Sequence, residues 1–248
     1  MRAKDVITIQ TTRFSYRWQL RAFFFLWIIF LKLVMKAPYN FMAFNTFLGY
    51  IPIEISFHLP KLADRRSLLF WLTSLIWLLF YPNAPYVLTD LFHLSWLHPH
   101  TNVSGILKST PSIWLIFAIM IISAFCCVLI GSLELLNTSG LIAKVLAPRY
   151  PQLRYLLMVI FAICSSIGIY IGRFLRLHSI YMLITPSWFW RQILSAMTWN
   201  ACQFIMILTV LQLIICWFVH LLRSLKTNYA LTGVRRQSHW WLTFRPFF

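Results

Sequence analysis

Asp90 and His93 carry side chains that can accept and donate protons, and they lie three residues apart. On a helix this spacing places both side chains on one face, together with Thr89, which is four residues from His93. Arg173 and Arg176 are also three residues apart, and their guanidinium groups can bind carboxylates or phosphates through paired hydrogen bonds. A carboxylate, an imidazole and two guanidinium groups could form an anion site with a general base, or a structural ion pair.

Three further polar residues are candidates for the same cluster: Asn45, Asn83 and Tyr86. Asn83 lies in the run Pro82-Asn83-Ala84-Pro85-Tyr86, where it suits an N-cap. Pro85 suits the first turn of a helix because that turn needs no amide donor there. We therefore expect a new short helix to begin at Asn83. Asn45 would lie roughly 6 Å into its own span, by the rise of an α-helix.

The elements that must position these residues are predicted to be membrane helices. Of the 248 residues, 60% are hydrophobic and only 11% are charged, against about 25% charged in soluble domains. This composition excludes a water-soluble protein. A helix needs about 20 mainly apolar residues to cross a bilayer, and the sequence predicts an all-α bundle of about six such spans in residues 1–225. The predicted spans are approximately residues 20–36, 41–59, 67–88, 110–134, 155–175 and 195–222. The first two are the weaker pair because Lys32 and Glu54 interrupt them.

The basic residues predict the orientation of the bundle. There are 22 Lys and Arg against five Asp and Glu. If the amino terminus is cytoplasmic, sixteen of the 22 fall on the inner side and six on the outer side. By the positive-inside rule, both termini are then cytoplasmic. Residues 226–248 combine Arg with Trp and Phe, which predicts an interfacial tail at the anionic lipid surface rather than a nucleic-acid site.

This orientation brings the Asp90, His93, Arg173 and Arg176 side chains to the outer side. Asp90 is the only carboxylate expected there, so pairing it with Arg173 or Arg176 is the simplest electrostatic arrangement. Two interpretations stay open. The cluster is either an interhelical latch, or a site for an anionic or lipid-linked ligand that uses the remaining Arg and His93.

Small residues predict how two of the spans meet, because they let helix backbones approach closely in a membrane. Ser123, Cys127 and Gly131 follow at four-residue steps in the fourth span, and Gly168 and Gly172 form a G-x-x-x-G in the fifth. We therefore expect these two helices to pack against each other through these faces.

A second polar group lies towards the inner side. Glu54 and His58 are one turn apart in the second span, and Lys61 follows on the same face. Within the apolar band a carboxylate is protonated, paired or functional. We expect a local pair with His58 or Lys61, and the alternative is a proton relay.

Metal and disulfide chemistry are not predicted. His98 and His100 lie near His93, but isolated loop histidines are usually solvated, so no metal site and no cofactor are expected. The five cysteines all fall in apolar stretches, which is typical of buried free thiols. They are Cys126, Cys127, Cys164, Cys202 and Cys216.

Three segments carry a resemblance to a known family. They run from Asn45 to Pro52, from Leu79 to Leu94 and from Tyr170 to Arg176. They resemble the bacterial multi-pass membrane proteins known as domain of unknown function 1361. Glu54 departs from that family's pattern, as does Leu177-His178-Ser179. The resemblance implies a multi-pass protein of the bacterial cytoplasmic membrane, and it implies no activity.

Three classes of function follow from these observations. No recognised catalytic motif is present, so whether the chain is an enzyme stays open. A membrane enzyme would act on a lipid-linked anion, a small transporter or lipid-handling protein would move one, and a structural protein would use the cluster only as a latch. Membrane lipids are the expected partners in each case, nucleic acid is not, and the oligomeric state is left open.

Overall fold

The computed structural model describes residues 3–100, 106–175 and 186–240, and these residues contain helices and no strand. We number the α-helices in chain order. They are α1 (Ala3–Val34), α2 (Phe41–Leu62), α3 (Leu68–Phe80), α4 (Asn83–Thr89), α5 (Pro111–Leu146), α6 (Leu153–Tyr170), α7 (Pro186–Ala196) and α8 (Trp199–Trp240). A 3₁₀ helix, Asp90–Leu97, follows α4, and a π-helical turn, Ile171–Leu175, follows α6.

Four segments are long and apolar enough to cross a membrane: Leu68–Leu97, Pro111–Leu146, Leu153–Leu175 and Trp199–Leu225. They correspond to the third to sixth predicted spans and indicate a membrane protein. The two weaker predicted spans lie in α1 and α2, which are helical but do not meet the same criterion. The predicted tail at 226–248 does not begin at a helix end, since α8 continues to Trp240.

Many large apolar side chains lie on the outside of the bundle. Leu33 is 75% exposed, Leu68 81% and Phe92 80%. The exposure of so much apolar surface to water is unfavourable, whereas lipid tails, which are also apolar, can cover it. The apolar surface and the hydrophobic composition therefore both indicate a membrane protein.

The interior is built around α2 and α5. Phe24 of α1 packs with Ile53 and Phe57 of α2, and with Val87 and Cys127 from α4 and α5. Both α2 and α5 contact several helices, and α4 packs against both of them and, less extensively, against α6. Because α4 lies inside the bundle, its polar residues face other helices.

The proline-rich break between α3 and α4 differs from the predicted geometry in one respect. The break itself is present because Pro82 and Pro85 have no amide donors. Asn83, however, is the first residue of α4 and not its N-cap, a position that Pro82 occupies. The Asn83 side-chain amide donates 2.9 Å back to the Phe80 carbonyl oxygen at the end of α3. Asn83 therefore caps the preceding helix, which is a correction of the prediction.

The chain after α4 also differs from the continuous α-helix expected there. Residues Asp90–Leu97 form a 3₁₀ helix, in which side chains three residues apart are eclipsed. Asp90, His93 and Trp96 therefore line one edge. Thr89 is turned away, because its hydroxyl donates 2.7 Å to the Tyr86 carbonyl oxygen.

The glycines of α5 and α6 were predicted to pack against each other, but they pack against the α3–α4 break and α4. The two helices do contact each other, but their glycines face the α3–α4 break. A Cβ on Gly131 would lie 2.8 Å from Ala84 Cβ, and a Cβ on Gly168 would lie 2.7 Å from Pro82 Cγ. A Cβ on Gly172 would have as its nearest neighbour a Tyr86 ring atom at 3.8 Å, which is ordinary contact. Because Gly131 and Gly168 have no side chains, the start of α4 can pack closely against α5 and α6.

Candidate functional site

The Asp90 carboxylate is the centre of the polar cluster that the sequence predicts on the outer side, called the outer cluster here, and Asp90 is only 3% exposed. Asp90 ends α4 and begins the 3₁₀ helix. Its Oδ2 accepts a 2.7 Å hydrogen bond from Asn45 Nδ2 of α2, and its Oδ1 accepts one of 3.1 Å from an Arg173 terminal nitrogen. Both oxygens are therefore satisfied by other helices, and Asp90 connects α2 with the end of α6.

Arg173 lies in the π-helical turn and uses both terminal guanidinium nitrogens within the protein. The nitrogen that bonds Asp90 is also 3.3 Å from the Tyr86 hydroxyl. The second nitrogen donates 2.9 Å to the Thr89 carbonyl oxygen and lies 3.4 Å from His93 Nδ1. Single-turn π-helical segments often occur at functional sites. Here the turn directs the Arg173 side chain towards the end of α4 and the start of the 3₁₀ helix.

The His93 ring is oriented by its own backbone. Its Nδ1 lies 2.9 Å from the Asp90 carbonyl oxygen, which can only accept, and 3.4 Å from an Arg173 nitrogen, which can only donate. The shorter contact favours a proton on Nδ1, and the Arg173 nitrogen is then a neighbour of Nδ1 and not its hydrogen-bond donor. In the neutral ring Nε2 is then the basic nitrogen, and among the described residues nothing bonds to it. The ring centroid is 4.6 Å from that of Phe41 and 4.4 Å from that of Trp96. His93 is thus a positioned imidazole with one nitrogen available.

Tyr39 supports the same segment from the chain between α1 and α2. Its hydroxyl donates 3.5 Å to the His93 carbonyl oxygen, and its side chain packs beside Phe41 and Trp96. Burial raises the pKa of the Tyr39 phenol. The phenol therefore keeps its proton and continues to donate across the physiological pH range.

A small cavity lies on the buried side of Asp90, with room for about one water molecule. It is lined by Met42, Thr46, Val87, Asp90, Met120 and Ser123. The Thr46 hydroxyl has no hydrogen-bond partner among the described residues. Since the cavity is so small, any larger ligand would have to meet the cluster from the His93 side.

The structure brings together five of the seven predicted site residues: Asn45, Tyr86, Asp90, His93 and Arg173. Asn83 is separate because it bonds Phe80. Arg176 lies outside the described residues. Thr89 contributes only its backbone carbonyl oxygen. In the described ranges, no three His, Cys, Asp or Glu side chains are grouped as metal ligands.

The inner polar group differs partly from the prediction. Glu54 does contact His58, whose Nε2 lies 3.0 Å from Oε1. Its stronger partner is Arg21 of α1, which donates to both carboxylate oxygens at 2.6 and 3.0 Å. Tyr50 adds a 2.6 Å hydrogen bond, and Lys61 has no recorded contact with this carboxylate among the described residues. Arg21 was not predicted as a partner of Glu54, because residues that pair from different helices have no fixed spacing in the sequence.

The sequence analysis also missed Glu134, which is 7% exposed in α5. This residue contacts Ser56 of α2 and Asn137 of its own helix. A lone carboxylate that follows an apolar run predicts the end of a span. Glu134 is itself the last residue of the predicted span 110–134, and that position was the only available signal of a residue inside the bundle.

Neither curated proteins nor solved structures show a match to the chain. A family model described as "Protein of unknown function (DUF1361)" matches residues 44–215, which include most of α2, all of α3 to α7 and most of the membrane-crossing part of α8. The matched region contains Asn45, Tyr86, Asp90, His93 and Arg173. Because the match extends over more than half of the sequence, the chain belongs to the DUF1361 family.

Proposed function

We propose that the protein is a six-span protein of the bacterial cytoplasmic membrane whose outer polar cluster binds an anionic or lipid-linked ligand. Both termini lie in the cytoplasm in this proposal. The 3₁₀ helix and the end of α6 then lie near the outer surface, where a lipid headgroup or a soluble anion can reach them.

The hairpin of α1 and α2 supports the count of six. Arg21 of α1 pairs with Glu54 of α2, and Trp27 of α1 donates 3.0 Å to Ser123 of α5. These contacts hold α1 against the helices that are apolar enough to cross a membrane. A helix packed along that bundle would cross with it, and the sixteen basic residues on the inner side support the orientation.

The observation that carries the ligand proposal is the state of the His93 ring. Asp90 and Arg173 satisfy each other, whereas His93 has one nitrogen bonded to a carbonyl oxygen and the other available. Asp90 and Arg173 therefore position the cluster, and His93 is the side chain that contacts a ligand. In the neutral ring, Nε2 can accept a proton from a hydroxyl or phosphate group. The imidazolium that results attracts the anion.

The neighbours of His93 favour a lipid-linked anion over a small soluble one. Trp96 is 48% exposed and Phe92 is 80% exposed on the same short helix. Aromatic side chains of this kind are typical of the headgroup level of a membrane. Arg176, three residues after Arg173 in the sequence, would supply a cation for the anion.

The proposal is tested by native mass spectrometry of the purified protein with phosphatidylglycerol and, separately, with phosphatidylcholine. We expect the wild type to retain more of the anionic lipid, and His93→Gln to lose that preference. His100→Gln is the matched control because His100 is an exposed histidine nearby. Equal retention of phosphatidylglycerol by the wild type and His93→Gln would contradict a role for His93. Displacement of the lipid by inorganic phosphate would indicate a soluble anion as the natural ligand.

A second candidate is a purely structural latch. The supporting observation is that both terminal nitrogens of Arg173 are already bonded within the protein. In that case the cluster only fixes the broken span against α2 and α6, and His93→Gln would leave lipid retention and cellular function unchanged.

A further inference from the structure

The cavity behind Asp90 lies between α2, α5 and the junction of α4 with the 3₁₀ helix. It has room for about one water molecule. Half of its lining is polar and half is apolar, and all of the lining residues are buried. The polar residues are Thr46, Asp90 and Ser123, and the apolar ones are Met42, Val87 and Met120.

The Thr46 hydroxyl is the group in this cavity that lacks a partner. Thr46 is 0% exposed, and its hydroxyl makes no hydrogen bond with the described residues. A helical serine or threonine can donate to a carbonyl oxygen one turn earlier, as Ser123 does to Ile119 at 2.9 Å. Thr46 does not make this bond. A buried hydroxyl without a partner is unfavourable, and lipid tails offer it none.

The hydrogen bonds of Ser123 determine what this residue can still do. Its Oγ donates its single proton to the Ile119 carbonyl oxygen and accepts a 3.0 Å hydrogen bond from Trp27 Nε1 of α1. A hydroxyl oxygen has two lone pairs. Ser123 can therefore accept one more hydrogen bond but cannot donate another, so a group that binds beside it must be a donor.

Asp90 is also an acceptor towards the cavity. Its carboxylate accepts from Asn45 at 2.7 Å and from Arg173 at 3.1 Å, one bond on each oxygen. An ionised carboxylate has about four acceptor positions, so each oxygen can accept again. The molecule that fits the cavity thus donates to Asp90 and to Ser123 and accepts from Thr46. Water has two protons and a free lone pair, and buried water typically makes about three hydrogen bonds.

A metal cation fits the same lining less well. Arg173 lies 3.1 Å from Asp90 and already balances its charge, so a second cation would be repelled by the guanidinium group. The lining supplies oxygen from only three side chains, whereas a hard cation such as Ca²⁺ takes about six to eight oxygen ligands.

We propose that this cavity binds one ordered water molecule, which accepts a hydrogen bond from Thr46 and donates one each to Asp90 and Ser123. The water joins α2 and α5 to the carboxylate of the outer cluster, and Trp27 extends the connection to α1. Thr46 and Ser123 are positioning residues, because they act on Asp90 through the water. The water site goes beyond the proposed function and does not depend on ligand binding at His93.

Radiolytic footprinting of the full-length wild type in lipid nanodiscs tests the proposal. A short X-ray pulse splits bound water into hydroxyl radicals, which oxidise a neighbouring methionine to its sulfoxide. Met42 and Met120 line the cavity. Met35 is the matched control, since it belongs to the same apolar cluster and is more exposed than either, but does not line the cavity. Peptide mass spectrometry should show faster oxidation of Met42 and Met120 than of Met35. Oxidation of both no faster than that of Met35 would overturn the proposal.

A substitution at Thr46 provides a second test, in which the sign of the effect decides. Thr46→Val replaces the hydroxyl with a methyl group of similar size. If the hydroxyl donates to a bound water, we expect the unfolding temperature to fall by about 2–4 °C and the oxidation of Met42 and Met120 to slow. Thr46→Ser keeps the hydroxyl and should retain the fast oxidation. An unchanged or higher unfolding temperature in Thr46→Val would overturn the proposal, and the footprint of the wild type decides if this variant does not fold.

The same measurements in sodium chloride and in choline chloride distinguish a water molecule from a sodium ion. We expect the footprint and the unfolding temperature of the wild type to be the same in both salts at equal ionic strength. A rise in unfolding temperature that requires sodium and is lost in Thr46→Val would overturn the proposal, because the cavity would then bind a cation.

Discussion

Gly168 of α6 lies directly against Pro82, so closely that an added Cβ would be 2.7 Å from Pro82 Cγ. Gly131 of α5 has the same relationship with Ala84, at 2.8 Å, and a Cβ on Gly49 of α2 would lie 3.1 Å from a Val87 methyl carbon and 3.2 Å from the Asn83 carbonyl oxygen. Three glycines from three helices therefore converge on one short segment. That segment leads into Asp90, so the close approach of these backbones determines where the outer cluster lies.

The first prediction concerns these glycines. Gly168→Ala should lower the free energy of unfolding by about 1–3 kcal/mol, because a proline ring cannot move aside easily. Thermal unfolding in detergent, followed by intrinsic fluorescence, measures this change. Gly140→Ala is the control, since nothing lies within 4 Å of the added Cβ, and it should stabilise the helix by up to about 1 kcal/mol. Equal unfolding temperatures for the two variants would contradict the proposed contact.

The second prediction concerns the buried ion pair. Asp90→Asn removes the charge but keeps the shape, and it leaves Arg173 without its anion in a site where Asp90 is 3% exposed. We expect a loss of about 3–5 kcal/mol in the free energy of unfolding. The double variant Asp90→Asn, Arg173→Gln should recover much of this loss in the same detergent assay. A double variant less stable than either single variant would show that the two charges do not stabilise each other.

The pair of Arg21 and Glu54 supplies a third prediction by contrast. Its side chains are 26% and 29% exposed, far more than Asp90, so solvent screens the attraction. Arg21→Gln should therefore cost only about 0–1 kcal/mol, less than Asp90→Asn. The same thermal assay at low and high salt should show a salt-dependent loss for the Arg21 pair and none for the Asp90 pair.

The sequence was informative about the outer cluster because Asp90 was the only carboxylate expected on that side. That scarcity predicted a pair with Arg173 or Arg176, and Asp90 contacts Arg173. The stripes of small residues indicated close approach, but spacing cannot show which backbone fills the space, and α4 fills it here. Glu134 was missed because its partner on another helix, Ser56, lies 78 residues away in the chain. The change from α to 3₁₀ geometry at Asp90 depends on packing and has no composition signal.

The fourth prediction concerns topology, and it follows from the distribution of the basic residues. Reporter fusions after Arg66, after Lys108 and at the carboxyl terminus should report cytoplasm, exterior and cytoplasm respectively. Because α1 and α2 form a hairpin, its insertion does not change the side on which the later loops lie. An exterior signal at the carboxyl terminus would contradict the six-span arrangement with both termini inside.

The last prediction separates a latch from a ligand site at the outer cluster. Both terminal nitrogens of Arg173 are bonded within the protein, so Arg173→Gln should lower stability and function together. Arg176 is three residues further along, and in our proposal it binds the anion. Arg176→Gln should then leave the unfolding temperature nearly unchanged but abolish complementation of a deletion strain, since an amide cannot supply a cationic fork. Arg191→Gln is the control, because Arg191 is an exposed arginine on the same predicted side. Full complementation by Arg176→Gln, together with recovery of function in the Asp90→Asn, Arg173→Gln double variant, would leave the latch as the role of the cluster.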